Sequence, residues 1–266
     1  MAKSVAKALI GLGVLCATAL AFYARFVEPK RLQVTELDLS HGNEPLTLAF
    51  VTDTHVGPHF SAADLEPTLE ALERLQPDAI LFGGDFICES PRFLQELEQP
   101  LKRMTATAKI GCWGIWGNHD LANIRSRVEP VLERCGVTML TNESAQIKGD
   151  LWVVGVDDAL LGKPDLATSF AAVPDGARTI ALWHEPDRAD RLVPFQPLIM
   201  LSGHTHGGQV RLPIVGPLAT PDMGRTYVHG HFNVGGMMLY VSRGIGMYRP
   251  PVRLNCTPEL LVLRVD

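Results

Sequence analysis

The sequence lacks the features that mark disulfide-rich, zinc-knuckle and nucleic-acid-binding proteins. Its five cysteines are scattered and form no C-x-x-C pair, which argues against a disulfide framework or a structural zinc site. The formal net charge is only -5 and shows no basic stripe, so nothing predicts binding to a nucleic-acid backbone. Internal repeats and low-complexity linkers are also absent. We therefore expect one ordinary globular domain without a nucleic-acid partner.

One long apolar run stands at the N-terminus. Residues 8–24 carry no charge and are flanked by basic residues on both sides, and a helix of this length just spans a hydrocarbon core of about 30 Å. Because basic residues directly follow the run, we expect residues 1–30 to form an uncleaved single-pass transmembrane anchor. The alternative is a signal peptide cleaved near Ala19 or Ala21. Because both flanks are basic, they do not indicate on which side of the membrane the rest of the chain lies.

From residue 46 onward, short apolar runs alternate with polar clusters and amphipathic helical patterns, which is typical of an α/β domain. A capping-box pattern at Ser61 and Asp64 precedes the first helical pattern. We predict two packed sheets flanked by helices, in one domain over residues 46–266. The predicted strands are 46–51, 79–82, 112–116, 179–183, 198–202, 238–242 and 259–265, and the predicted helices are 65–75, 92–102 and 124–135.

Most of these predicted strands are closely followed by an aspartate, asparagine or histidine, whose side chains can bind metal ions. Such residues converge on one edge of an α/β sheet, where ligands usually bind. A single histidine beside an apolar run is usually a packed core residue, but five of the nine histidines in the chain occur here together with two aspartates. Imidazole and carboxylate without thiolate suit manganese, iron or zinc. The set comprises Asp53, His55, Asp85, Asn118, His119, His184, His204 and His206.

The number of donors indicates more than one metal ion. Seven donors are too many for one four- to six-coordinate ion, but they fit two divalent ions about 3.5–4 Å apart that share a carboxylate. The motifs D-x-H (53–55), G-G-D (83–85), G-N-H-D (117–120), His184 and G-H-T-H (203–206) occur in this order. This ordered set resembles the signature of the calcineurin-like metallophosphoesterases across residues 46–265.

The resemblance implies a fold and a ligand set. The fold would be a four-layer α/β/β/α sandwich, preceded here by the transmembrane helix. Seven positions correspond to metal ligands, three for each of two ions and one shared by both. The first ion would take Asp53, His55 and His206, the second Asn118, His184 and His204, and Asp85 would bridge the two.

The resemblance also implies a reaction. Two divalent ions would activate a water that hydrolyses a phosphodiester or pyrophosphate bond. His119 would serve as general acid for the leaving oxygen or would stabilise charge on the phosphoryl group. Asp120 occupies a position where the family more often has glutamate, and we expect the shorter side chain to orient His119 less well, with little effect.

Weaker signals concern the substrate. Residues 207–209 and 242–244 resemble a bacterial membrane-associated branch of the family, which includes hydrolases of UDP-2,3-diacylglucosamine. This implies a lipid-linked substrate and a location in the bacterial inner membrane. The apolar segment 194–200 is expected to be mainly a buried strand, with contact to a lipid as the alternative.

Several alternatives remain open at the level of sequence. Phosphoproteins, nucleotides and cell-envelope polymers are other candidate substrates, and a non-catalytic adaptor with the same fold is a different class of function. Arg243, Arg249 and Arg253 are expected to be solvated, or else to contact a substrate phosphate. His229 and His231 would share one face of a strand, but they make a poor third metal site because no carboxylate is near them in sequence.

Overall fold

The computed structural model describes residues 2–40, 45–88, 90–122 and 125–266. Two six-stranded sheets pack face to face, and the first sheet is mixed. In spatial order its strands are Gln33–Asp38 (β1), Glu259–Val265 (β14), Leu46–Val51 (β2), Ala79–Phe82 (β3), Gly111–Gly114 (β4) and Thr138–Met139 (β5). Strands β2 to β5 are parallel to one another, whereas β14 is antiparallel to β2 and parallel to β1.

The second sheet has a parallel centre with antiparallel edges. A separate two-stranded hairpin, Arg211–Leu212 (β10) and Gly216–Pro217 (β11), follows the last central strand. In spatial order the strands of the second sheet are Gly230–Val234 (β12), Met237–Val241 (β13), Ile199–Ser202 (β9), Arg178–Leu182 (β8), Leu151–Gly155 (β7) and Glu143–Lys148 (β6).

Helices cover both outer faces of the sheet pair. The first sheet is covered by long α-helices, whereas a 3-10 helix at Pro186–Phe195 and one short α-helix cover the second. The fourth layer is therefore thinner than the first, although the predicted α/β/β/α order is confirmed. The α-helices are Ala2–Phe22 (α1), Glu66–Leu75 (α2), Leu94–Thr105 (α3), Asn118–Leu121 (α4), Arg125–Arg134 (α5) and Leu166–Phe170 (α6).

Both faces of the central strands are buried, which explains their continuous apolar runs. Leu48 and Phe50 of β2 point into the core between the two sheets, whereas Ala49 and Val51 pack against the helices. Side chains alternate between the faces of a strand, so one short apolar run supplies two cores. The helix after β2 begins as predicted, since the Asp64 carboxylate accepts the Ser61 backbone N–H at 2.9 Å.

The prediction for one apolar segment is wrong, and another prediction falls partly outside the described residues. Residues 194–200 are not mainly a buried strand, because Phe195 and Leu198 are exposed and β9 begins only at Ile199. The polypeptide leaves the 3-10 helix at this point and reaches the strand only after Pro197. The predicted start of the third helix, Ile124, lies outside the described residues, and the helix is described from Arg125.

The N-terminal segment is the one helix among the described residues that is long and apolar enough to cross a membrane. Its 21-residue α-helix α1 is about 31 Å long. It continues into a π-helix at Tyr23–Val27 and a 3-10 helix at Glu28–Lys30. The most apolar window has a mean hydropathy of 2.1, and none of its described residues is buried. Strand β1 follows and joins the first sheet, so this sheet also contains residues that precede residue 46.

The end of this helical segment is bound to the folded domain. The backbone N–H of Arg253 donates to the carbonyl of Ala24 at 2.9 Å, and the buried Glu28 carboxylate accepts the backbone N–H of Cys256. Both hydrogen bonds involve one short loop before β14. We call residues 24–28 with this loop, residues 253–256, the junction.

Arg253 is neither solvated nor free to contact a substrate, in contrast to the prediction. Its side chain is fully buried, and its guanidinium donates to backbone carbonyls of Gly246, Cys256, Arg243 and Gly244 at 2.6–3.1 Å. Arg243 is also largely buried and pairs with Glu259. Arg253 therefore fixes the loop before β14 by satisfying carbonyls that the fold removes from water.

Replacing Arg253 with alanine should leave these carbonyls without donors and destabilise the protein by at least about 3 kcal/mol. The same change at Arg264, whose ion pair with Glu36 is exposed, should cost less than about 1 kcal/mol. Thermal unfolding of the full chain in detergent would compare the two variants. Equal destabilisation by Arg253→Ala and Arg264→Ala would contradict this role.

Candidate metal centre

The polar residues that follow the strands lie at one edge of the sheet pair. Asp53 and His55 follow β2, and Asp85 follows β3. Because these strands are parallel, their carboxyl ends share one edge. The second sheet supplies the remaining ligand candidates after its parallel strands β8 and β9. They are His184, His204 and His206, while Asn118 begins α4 after β4.

Within the described residues, two buried groups combine carboxylate and imidazole at distances suited to a metal ion. The candidate ligand atoms of Asp53, His55 and His206 all lie within 4.8 Å of one another. The atoms of Asp85, His184 and His204 do so as well. These groups match the two predicted ligand sets, apart from Asn118, whose amide oxygen is buried without a hydrogen-bond partner.

Imidazole nitrogens of both groups lie close to the carboxylate of Asp85. His184 donates from Nδ1 to the carbonyl of Gly83 at 2.7 Å, and its Nε2 faces the Asp85 carboxylate at 3.2 Å. His55 Nε2 lies 3.3 Å from the same carboxylate. A buried carboxylate this close to two imidazole nitrogens needs positive charge beside it, supplied either by a proton on an imidazole or by a bound cation. A divalent cation meets this need, and the residues therefore fit a metal site.

Unpartnered buried atoms support the same conclusion. Both ring nitrogens of His55, Nε2 of His184 and Nδ1 of His206 are buried without hydrogen-bond partners. Buried polar atoms normally have partners, because leaving one unpaired costs free energy. His204 donates from Nε2 to the carbonyl of Asp222 at 2.8 Å, which leaves its Nδ1 lone pair available. Such outer hydrogen bonds fix the orientation of metal-binding imidazoles.

The pKa values show how strongly these groups interact. Burial alone would lower the pKa of His55, but the carboxylates of Asp85 and Asp53 raise it to about 10. Burial would raise the pKa of Asp85, yet His184 and His55 hold it well below its usual range. In His206, burial and the neighbouring His55 lower the pKa well below its usual value. The site is thus organised around buried negative carboxylates that attract positive charge.

The backbone at this site adopts an uncommon conformation. The predicted ligands Asp53, His55, Asp85, His204 and His206 have φ values between 43° and 67°, in the left-handed region. Residues other than glycine rarely adopt it, and clusters of such residues mark functional sites.

Glycines make room for this backbone. A Cβ atom at Gly203 would lie 2.1 Å from the Asp53 carboxylate, and one at Gly117 would lie 2.2 Å from the Asp85 carboxylate. Gly203 therefore allows the loops of the two sheets to approach each other, and Gly117 allows the loops after β3 and β4 of the first sheet to do so.

Asp120 has a different role from the one expected. Its carboxylate accepts the backbone N–H groups of Phe86 at 2.9 Å and Gly117 at 3.2 Å, and it makes no hydrogen bond to His119 among those the structure describes. Burial, with the nearby Asp85, raises its pKa to about 7. Asp120 therefore connects the loops that follow β3 and β4.

His119 lies at the half-buried mouth of the site, next to a residue that the sequence analysis missed. Its ring centroid is 4.7 Å from that of Tyr248 and 4.9 Å from that of His55. The side chain of Gln209 holds the backbone of Tyr248 through hydrogen bonds of 2.9 and 3.0 Å. No sequence motif indicated Tyr248, because it reaches the site from a loop distant in sequence.

His119 also belongs to a third group of candidate ligand atoms, with His55 and Cys88. His55 is thus shared between two groups. In contrast, His229 and His231 join no such group within the described part of the chain.

Comparison with known proteins places these residues in a family. The family model of the calcineurin-like phosphoesterases matches residues 46–208. The metallophosphoesterase YkuE of Bacillus subtilis is 32% identical over 252 residues, which cover 90% of this chain and 87% of that protein. The phosphodiesterase YaeI of Escherichia coli is 28% identical, over 91% of this chain and 92% of that protein.

A third relative carries a more specific name. The UDP-2,3-diacylglucosamine pyrophosphatase LpxG of Chlamydia trachomatis is 24% identical, over 91% of this chain and 92% of that protein. The matches cover almost the whole length of all three relatives. The family model alone spans more than half of the chain and includes every residue of the two buried groups. This chain therefore belongs to the calcineurin-like phosphoesterase family, whose members use divalent metals, and is a metallophosphoesterase.

Proposed function

We propose that this protein is a binuclear metal-dependent hydrolase that cleaves a phosphodiester or pyrophosphate bond in a lipid-linked substrate at a membrane. The observation that carries the proposal is the pair of buried carboxylate and imidazole groups, several of whose ring nitrogens have no hydrogen-bond partner. Two ions fit this donor set better than one, because the two groups use different atoms and face each other across Asp85.

The proposed ligand assignment follows the two groups. The first ion is held by residues after β2 and β9, and the second by residues after β4, β8 and β9. Asp85 lies close to His55 of the first group and His184 of the second, which supports its role as the shared ligand. The full assignment is Asp53, His55 and His206 for the first ion, Asn118, His184 and His204 for the second, and Asp85 for both.

The protein side chains would position the substrate. Bound divalent ions lower the pKa of a water and neutralise phosphoryl charge. His119, beside the first group and open to solvent on one side, would hydrogen-bond the phosphoryl or leaving oxygen. Tyr248 packs against the His119 ring and limits its rotation.

Three observations support a lipid-linked substrate. The N-terminal helix is long and apolar enough to span a bilayer, and residues 24–28 are fixed to the catalytic domain. One relative is named as a pyrophosphatase of a diacylated UDP-sugar. Together they support a lipid-linked substrate. They also favour an uncleaved anchor in a bacterial inner membrane over a cleaved signal peptide.

Replacing Asp85 with asparagine should lower the metal content from about two ions per chain and reduce the turnover of bis(p-nitrophenyl) phosphate at least about 100-fold. The amide keeps the volume but loses the negative charge that both groups share. Metal analysis and a manganese-supplemented assay would measure the two effects. The matched control is Asp175→Asn, an exposed residue before β8 at the opposite edge of the sheet. Unchanged turnover and metal content in Asp85→Asn would refute the assignment.

Replacing His119 with glutamine should reduce kcat about 100- to 10,000-fold with the metal content unchanged, because His119 acts on the substrate. If it protonates the leaving oxygen, the loss should be larger for an alkyl phosphodiester than for bis(p-nitrophenyl) phosphate, whose leaving group needs no proton. Loss of metal from His119→Gln would instead make His119 a ligand. Tyr248→Phe keeps the ring that packs against His119 and serves as the control.

The lipid-linked substrate can be tested by ranking rates. Full-length protein in detergent should hydrolyse UDP-2,3-diacylglucosamine with a higher kcat/KM than UDP-glucose or a soluble phosphomonoester, because the acyl chains add binding energy. Liquid chromatography of the released nucleotide would measure each rate. Equal rates for the acylated and the soluble nucleotide sugar would exclude a lipid-specific enzyme while leaving the metal chemistry intact.

A further inference from the structure

The hairpin β10–β11 exposes a dense set of apolar side chains. Ile214, at its turn, is fully exposed, and Val215 is 69% exposed. Leu212 and Leu218 are exposed on either side of the turn. Ile214 also has a φ of 71°, which is uncommon for a β-branched residue. The hairpin therefore presents an apolar tip that is largely exposed to solvent.

The base of this hairpin is attached to the junction. Val210 pairs with Leu254 in a β-bridge, and the N–H of Arg211 donates to the carbonyl of Leu254 at 2.9 Å. Asn255 adds a side-chain hydrogen bond to the carbonyl of Arg211 at 3.0 Å. Leu254 and Asn255 lie between Arg253 and Cys256, which bind the end of the N-terminal helical segment. The hairpin thus begins beside the point at which the anchor enters the domain.

The chain around residues 22–31 has the composition of a membrane interface. Phe22 and Phe26 are exposed, and their rings contact each other at 5.1 Å. Arg31 donates to the hydroxyl of Tyr23 at 2.8 Å. Aromatic and basic residues at the end of an apolar helix lie at the level of the lipid headgroups. Through the junction, the base of the hairpin is held close to the same level.

We propose that the apolar tip of the β10–β11 hairpin inserts into the membrane leaflet next to the C-terminal end of the anchor, as a second membrane contact. This inference rests on the membrane anchorage proposed above. A lipid surface is favoured over a protein partner because the anchor already brings this surface to the hairpin base. Short apolar segments at an interface bind at the boundary between headgroups and acyl chains.

The second contact would orient the metal centre. Gln209, which directly precedes the hairpin, donates from its side chain to the carbonyl of Tyr248 and accepts the Tyr248 N–H. Tyr248 in turn packs against His119 at the mouth of the site. One rigid connection therefore links the hairpin base to the entrance. With both the anchor and the hairpin in the bilayer, this entrance is fixed relative to the headgroups of lipid-linked substrates.

Site-specific fluorescence would test the insertion. The full chain with Cys16→Ala, which removes the exposed cysteine, would receive Ile214→Cys or the control Ile110→Cys. Ile110 is exposed just before β4, at the edge opposite the metal centre. Each variant would be labelled with an environment-sensitive dye and reconstituted in phosphatidylethanolamine and phosphatidylglycerol vesicles that contain spin-labelled lipid.

We expect spin-labelled lipid to quench the dye at position 214 strongly and the dye at position 110 weakly. If the dyes at positions 214 and 110 were quenched equally weakly in vesicle-bound protein, the insertion would be overturned while the anchor stayed intact. A dye at 214 that is shielded from water but not quenched by lipid would show a protein contact, with a second copy or another partner, and would also overturn it. Protein that fails to float with the vesicles would refute both the anchorage and the insertion.

Rate measurements distinguish an effect on membrane insertion from an effect on catalysis. The double variant Ile214→Asp and Val215→Asp should hydrolyse bis(p-nitrophenyl) phosphate at the wild-type rate, because neither residue is part of the metal centre. Its rate on UDP-2,3-diacylglucosamine in vesicles should fall several-fold, whereas Ile110→Asp should retain the wild-type rate. A double variant with the wild-type rate on vesicles would contradict the orienting role. If the wild-type protein hydrolyses no lipid substrate, that substrate assignment fails and the quenching result still decides the insertion.

Discussion

The buried negative charge of Asp53 and Asp85 is the constraint on which the structure of this site depends. The Asp85 carboxylate lies within 3.3 Å of imidazole nitrogens from two different histidines, one from each sheet. Such an arrangement is stable only with positive charge among the acceptors, because burial removes the water that would otherwise separate them. The folded domain supplies this geometry through backbone interactions. The N–H of His204, from the second sheet, donates to the Asp53 carboxylate of the first at 3.0 Å.

These backbone interactions explain why the loops, rather than the sheets, contain the unusual conformations. Asp53 and Asp85 have left-handed backbones, and glycines at 117 and 203 lie where a Cβ atom would meet their carboxylates. Asp120 satisfies the N–H groups of Phe86 and Gly117 in these turns, and Arg253 satisfies carbonyls of the loop that follows β13. The sheets provide two rigid edges, and buried hydrogen bonds hold the connecting loops between them.

The strands and the residues that gather in the two buried groups could be predicted from the sequence because both follow from local rules. Apolar runs identified β2 and β3 within the observed bounds, and the parallel order of strands brought Asp53 and Asp85 to one edge. Long-range contacts were not predictable. Arg253 looked like any surface arginine, and only the fold shows that it is buried among carbonyls. Likewise, Tyr248 meets His119 through a loop that no periodic pattern marks. Segment 194–200 was misread because a strand and the end of a 3-10 helix have similar composition.

The hydrogen bonds at Ala24 and Glu28 leave almost no free linker between the hydrophobic helix and the enzyme. A long flexible linker would let a catalytic domain sample a hemisphere of solution around its attachment point. Here the attachment is short and hydrogen-bonded, so a bilayer-embedded molecule would keep its metal centre at a nearly constant height. A lipid-linked substrate in the same bilayer would then reach the site by lateral diffusion in two dimensions. Concentration per unit area, rather than per unit volume, would set the rate at which substrate arrives.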